Sequence, residues 1–174
     1  MGLASGRDVR VVAAVALSAA GDVGEAQKLV DKLNHDFPLD TMMQRYAIPA
    51  IRAQIELTRG DTAKAIELLQ TAIPLELGGP GVMAPVYVRG LAYLRARDGA
   101  AAAGEFQKML DHRAMLGNSS GGALAHLGLA RAYALSGNTI KARSAYQDFL
   151  ALWKDADPDI PILKQAKAEY EKLK

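Results

Sequence analysis

The sequence predicts an all-α fold: an α-solenoid of four helical hairpins closed by one terminal helix. Three observations carry this. Alanine is abundant, and no stretch alternates Val, Ile, Thr and aromatic residues at the period of two that a strand requires. Four two-residue breaks recur along the chain, at Gly21-Asp22, Gly60-Asp61, Arg97-Asp98 and Gly137-Asn138. Around each break the same apolar landmarks return at fixed offsets.

The breaks have a physical logic. Glycine takes the left-handed conformation that ends a helix, and the Asp or Asn after it caps the next one. The third break has Arg97 in the glycine position and is the weakest of the four. Seven residues before the break stands a small residue: Ala14, Ala53, Gly90 and Ala130. Four residues after the capping position comes alanine: Ala26, Ala65, Ala102 and Ala142. Four further on lies Val30, Leu69, Phe106 or Tyr146, and three beyond that Leu33, Ala72, Met109 or Phe149. Offsets of three, four and seven place one stripe on each helix. The small residues let helices approach, and the large ones fill the space between hairpins.

This pattern predicts helices near 7–20, 22–35, 41–59, 61–73, 82–97, 98–112, 120–136, 138–153 and 161–173. Pro49 falls inside the third, where it removes a backbone donor and predicts a kink or a later start. Pro85 falls in a first turn, where proline is tolerated. The last helix carries Leu163, Ala166, Tyr170 and Leu173 on one stripe, as a cap over the end of a stack needs. The chain thus divides into a frayed or added start, 1–6, and one domain, 7–174, with hairpins about 7–36, 41–73, 82–112 and 120–153.

The fourth unit, Leu127-Gly128-Leu129-Ala130-Arg131-Ala132-Tyr133-Ala134-Leu135-Ser136-Gly137-Asn138 through Ala142, Tyr146 and Phe149, resembles a tetratricopeptide repeat. The resemblance spans about residues 7 to 154 and is poorest in the first unit. It implies a right-handed solenoid, a protein- or peptide-binding scaffold, and no enzymatic activity. The units depart from the family in length. The breaks are 39, 37 and 40 residues apart, against a usual period of about 34. The extra residues belong in the loops 37–40, 77–81 and 116–122, which join one hairpin to the next. Glu56 and Leu17 also stand where Tyr93 and Tyr133 carry an aromatic. The tail from Asp148 to Pro161 is similar to the end of repeat-rich carboxyl-terminal regions of some bacterial serine/threonine kinases and related regulators. That similarity implies a fragment of a larger regulatory protein, an expectation with which the start in a first hairpin agrees.

If the hairpins curve as the resemblance implies, the first helix of each lines a concave groove. The register then puts Asp8, Val11 and Val15 on it, with Ala47, Ala50 and Gln54 next. Tyr87, Leu91 and Arg95 follow, then Leu127, Arg131 and Leu135. The residues expected to contact a partner are Gln54, Tyr87, Leu91, Arg95, Leu127 and Arg131. A mostly apolar groove with two arginines suits an extended or helical peptide carrying one or two carboxylates. The lysine and asparagine clamp of chaperone-tail-binding members is absent at these positions, so that activity is not implied.

Other chemistries are weaker. Asp155, Asp157 and Asp159 alternate like the start of a calcium loop, but the twelfth position is Ala166, so an interhelix turn with an Asp capping the last helix is expected. The glycine-rich loops lack the lysine of a phosphate loop. His35, His112 and His126 are far apart, without partners at metal spacing; His35 and His112 close helices, and His126 fills an aromatic slot. No cofactor or metal is expected. A formal net charge of +2 does not suggest nucleic acid, and no apolar run is long enough to span a bilayer. Val9 to Ala20 imitates the apolar part of a signal peptide but leads into a second amphipathic helix and not a cleavage site. Gly2 is placed for myristoylation, but the sixth position is Gly6 and not the serine or threonine that such a signal carries. Cysteine is absent, which fits a cytoplasmic protein. The remaining alternative is a structural or self-association module, a monomer or weak homodimer with no peptide in the groove.

Overall fold

The computed structural model describes residues 6–78 and 83–173, and among these every regular element is helical. Gly2 and most of the glycine-rich loop 77–81 lie outside the described residues. The helices are α1 (Arg7–Ala20), α2 (Val23–Asp36), α3 (Ile48–Arg59), α4 (Thr62–Leu68), α5 (Ala84–Arg95), α6 (Gly99–Asp111), α7 (Gly121–Leu135), α8 (Thr139–Leu152) and α9 (Pro161–Glu171).

All four breaks fold into one turn. A left-handed residue follows the first helix of each pair, directly at Gly21 and Gly60 and one residue later at Arg97 and Gly137, with φ of 91°, 90°, 60° and 74° respectively. The next residue then works twice. Its backbone N–H closes the helix behind it, at 2.9 Å from the carbonyls of Leu17, Glu56, Tyr93 and Tyr133 for Asp22, Asp61, Asp98 and Asn138 respectively. Its side chain opens the helix ahead, accepting from the N–H of Glu25, Lys64, Ala101 and Lys141. Because the closing acceptor is main chain, Leu17 and Glu56 serve as well as the tyrosines. Glu56 is half-buried, 2.7 Å from Arg59.

The stripes lie where the offsets place them. Ala14, Ala53 and Ala130, and Ala26, Ala65, Ala102 and Ala142, are wholly buried. So are Val30, Leu69 and Phe106, with Tyr146 close behind. Each pair packs internally and then on its neighbour: α1 on α2 and α3, α3 on α4 and α5, α5 on α6 and α7, α7 on α8, and α8 on α9. Ile48, Ile51 and Ile55 of α3 share one core with Ala14, Ala26, Val30 and Leu33 of the first pair. Val88 and Ala92 of α5 share another with Ala53, Ala65 and Leu69 of the second.

Two prolines reshape the second pair. Pro49 has no N–H, so the carbonyl of Arg45 loses its regular helical donor. The chain opens into a π turn at Met43–Ala47 ahead of α3, and the Arg45 carbonyl accepts from the Thr71 hydroxyl at 3.3 Å. Of the kink or later start expected at Pro49, the later start forms: α3 begins at Ile48, behind the π turn. Near Pro74 the helix predicted to 73 tightens after Leu68 into a 3-10 segment, Leu69–Leu75.

The third and fourth pairs approach most closely. A Cβ added to Gly128 would lie 2.5 Å from the Phe106 ring, and one on Gly90 would lie 2.7 Å from it. The ring of Phe106 thus lies between two glycine backbones. At the end of the array, Leu163 and Ala166 of α9 are buried in the same core as Tyr146 and Phe149. One sequence expectation fails here: no Asp caps α9. Ile160 holds the cap position without a side-chain bond, and Asp157 accepts from the N–H of Asp159 at 2.8 Å. Pro161 begins the helix without an N–H, so one donor fewer needs capping.

Substitution of Gly128 by alanine is expected to cost about 1–3 kcal/mol, since a methyl group must displace a packed ring. The same change at Gly104, which has open space around it, should stabilise the helix by about 0.5–1 kcal/mol. Urea unfolding of the two variants checks both signs, and equal effects would remove the role given to Phe106. Arg97→Gly relieves a left-handed arginine and should add up to about 1 kcal/mol in the same assay; a loss would mean that the turn does not strain this residue.

Candidate interaction surface

The expected groove residues come from one side of α3, α5 and α7. Gln54, Leu91 and Arg131 occupy the same register position, six residues before the turn, and all three are half-buried. Arg95 is exposed, Tyr87 is half-buried, and Leu127 is buried in the core. Leu91 touches the apolar clusters on both sides of α5. Tyr87 lays its ring edge-on to Phe106, with centroids 6.0 Å apart. Burial raises its phenol pKa, against the opposing charge of Arg131. The structure therefore draws Tyr87, Leu91 and Arg131 into one neighbourhood, while Leu127 supports it from below.

The two arginines already have partners. Arg131 forms a forked pair with Glu169 of α9, at 2.9 and 3.1 Å. The hydroxyl of Tyr146 donates to the same carboxylate at 2.9 Å. Burial and then the charge of Glu169 push the Tyr146 phenol pKa up, so it remains a donor. Arg131 is thus a tether for the last helix before it is a ligand for a partner. Arg95 donates to the main-chain carbonyl of Leu57, one pair back. Thr58 makes the equivalent bond to Ser18, at 3.1 Å, from the same register position. Both link neighbouring pairs through a carbonyl, and Arg95 as a whole remains exposed.

A second polar feature was not picked out in the sequence. Arg89 of α5 and Glu76, just after the 3-10 segment, are almost wholly buried, at 2 and 3% side-chain exposure, with a 2.5 Å contact. Glu105 of α6 lies 2.6 Å from Arg89, and Lys108 lies 3.2 Å from Glu76. Two acids and two bases leave the cluster neutral. Burial alone would lower the pKa of Arg89, but the two carboxylates more than reverse this and keep it charged. Tyr46, from the π turn, is buried without a hydrogen bond to its hydroxyl. Burial and then the charge of Glu76 push its pKa up to about 12. The sequence did carry a signal: Arg89 and Glu105 stand eight residues either side of Arg97, where antiparallel helices bring partners face to face. The cluster ties the segment after α4 to α5 and α6, and its closure marks it as architecture.

The remaining candidates are small. His35 is exposed and next to Asp36, and His112 closes α6 against the carbonyl of Lys108. His126 lies 3.6 Å from Asp148. Among the described residues no three His, Asp or Glu side chains are grouped to hold a metal, and no helix is long and apolar enough to cross a membrane. Two shallow depressions lie along the turn into α8, around Asn138 and Ile140. Comparison of the chain with protein-family models, with curated proteins and with solved structures found no match.

Removing one member of the buried cluster leaves an uncompensated charge. Glu76→Ala is expected to cost about 3–5 kcal/mol in urea unfolding, and Glu76→Leu combined with Arg89→Met to recover most of it. A single variant as stable as the parent would rule out the cluster as a structural tie.

Proposed function

We propose that the chain is a tetratricopeptide-type helical solenoid that binds a protein or peptide along the side lined by α3, α5 and α7. One observation carries this reading. At the same register position three consecutive first helices leave Gln54, Leu91 and Arg131 half-open, while the residue just before each, Ala53, Gly90 and Ala130, is buried. A repeated surface at a repeated spacing suits an extended ligand, which meets equivalent positions as it runs across the pairs. The tetratricopeptide likeness of the fourth unit, and four turns of one geometry, support the same architecture. The surface mixes apolar side chains, the amide of Gln54 and the guanidinium of Arg95. That chemistry favours a peptide with apolar residues and one or two carboxylates. The tail likeness to regulator carboxyl-terminal regions supports a role as the interaction arm of a bacterial regulatory protein.

Selection from a displayed peptide library provides the test. The peptides retained should be apolar with one or two acids, and Arg95→Glu should weaken them about tenfold, equivalent to about 1.4 kcal/mol. Ile140→Glu, on the turn into α8, should leave binding unchanged. Retention of no peptide, or equal binding to all three proteins, would defeat the groove assignment.

A further inference from the structure

The outer face of α1 does not belong to that groove. Counting back twelve, nine and five residues from the turns gives Val9, Val12 and Ala16 in α1. The same positions are Ile48, Ile51 and Ile55 in α3, Pro85, Val88 and Ala92 in α5, and Ala125, Gly128 and Ala132 in α7. All nine of the later residues are buried. In α1, Val9 is 46% and Val12 68% exposed, and Ala16 is exposed too. One register is thus closed three times and open once.

What closes it is visible in the fold. Ile48, Ile51 and Ile55 sit on Ala14, Ala26, Val30 and Leu33 of the pair before them. Val88 and Ala92 sit on the corresponding Ala53, Ala65 and Leu69, and the Gly128 backbone sits on Phe106. At the far end α9 fills the same role with Leu163, Ala166 and Tyr170, at the same spacings of three and four. The stripe that receives this face is uncharged in every pair. The α1 face is uncharged as well, and the arginines beside it pair with acids of the same chain. Arg7 pairs with Asp8 and Asp40, and Arg10 with Asp36.

The geometry points to the Val9, Val12 and Ala16 face of α1 as a seat for one further helix–turn–helix pair. That pair carries the chain's own inner stripe: a small residue before its turn, then alanine, then two large aliphatic residues. It continues the interface already repeated along the array. A second copy of the chain is a poorer occupant, because its one equivalent end stripe is covered by α9.

The chain has no cysteine, so Val12→Cys gives a single thiol whose labelling rate reports cover. In the protein itself that thiol should label as fast as that of Leu39→Cys, a position 94% exposed. An extended chain, with an extra copy of residues 7–40 placed ahead of Arg7, presents the Ala14, Ala26, Val30 and Leu33 stripe to α1. There the Val12→Cys thiol should label at least tenfold more slowly while that of Leu39→Cys stays fast. Adding Ala16→Lys should restore fast labelling and lower Tm in the extended chain, while leaving the Tm of the original protein unchanged. Equal labelling of the Val12→Cys thiol in both chains would overturn the inference. So would protection of that thiol in the original protein as its concentration rises, since a second copy would then be the occupant.

Discussion

Everything in this molecule hangs on a turn in which one residue serves two helices. The N–H of Asp22, Asp61, Asp98 or Asn138 satisfies a carbonyl of the helix before it, while its side chain satisfies an N–H of the helix after it. A helix end normally leaves four groups of one kind unsatisfied. Sharing one residue between an end and a start shortens the connection to two or three residues. The two helices must then fold back on each other at once, and the small residue before the turn faces the alanine after it. The stripes, the pairing and the seams between pairs follow from this constraint.

Irregularity is placed where it does not reach the turns. The π turn at Met43–Ala47 and the 3-10 segment at Leu69–Leu75 lie at the outer ends of the second pair, away from Gly60-Asp61. They also face each other, since Thr71 supplies the donor that Pro49 withholds from Arg45. The buried ionic cluster gathers at this same end. A segment too irregular to pack by stripe alone is fastened by charge, and Glu76, Arg89, Glu105 and Lys108 do so without net charge.

Much of the helical framework was legible in the sequence because it rests on local rules. Gly21-Asp22 or Gly137-Asn138 declares both a stop and a cap, and the positions of Ala14 and Ala26 follow by counting. Arg97 showed that the third turn departs from glycine, and the left-handed φ there shows the turn holding all the same. What stayed hidden was long-range. Nothing local announces that Arg131 will be held by Glu169, 38 residues away, or that Glu76 will be buried against Arg89. The residues expected to line a groove were legible as a register, but their burial was not. Leu127, ten residues before its turn, is buried in the core, while Gln54, six before its own, is half-open.

The seams at Thr58 and Arg95 end on main-chain carbonyls, those of Ser18 and Leu57. A carbonyl is supplied by whatever residue stands there. The bond itself therefore constrains the donor alone. What holds the accepting residues is packing, since Ser18 and Leu57 are both buried. Such a joint divides its demands: one side must keep a hydrogen-bonding group, while the other need only keep a shape that fits the core.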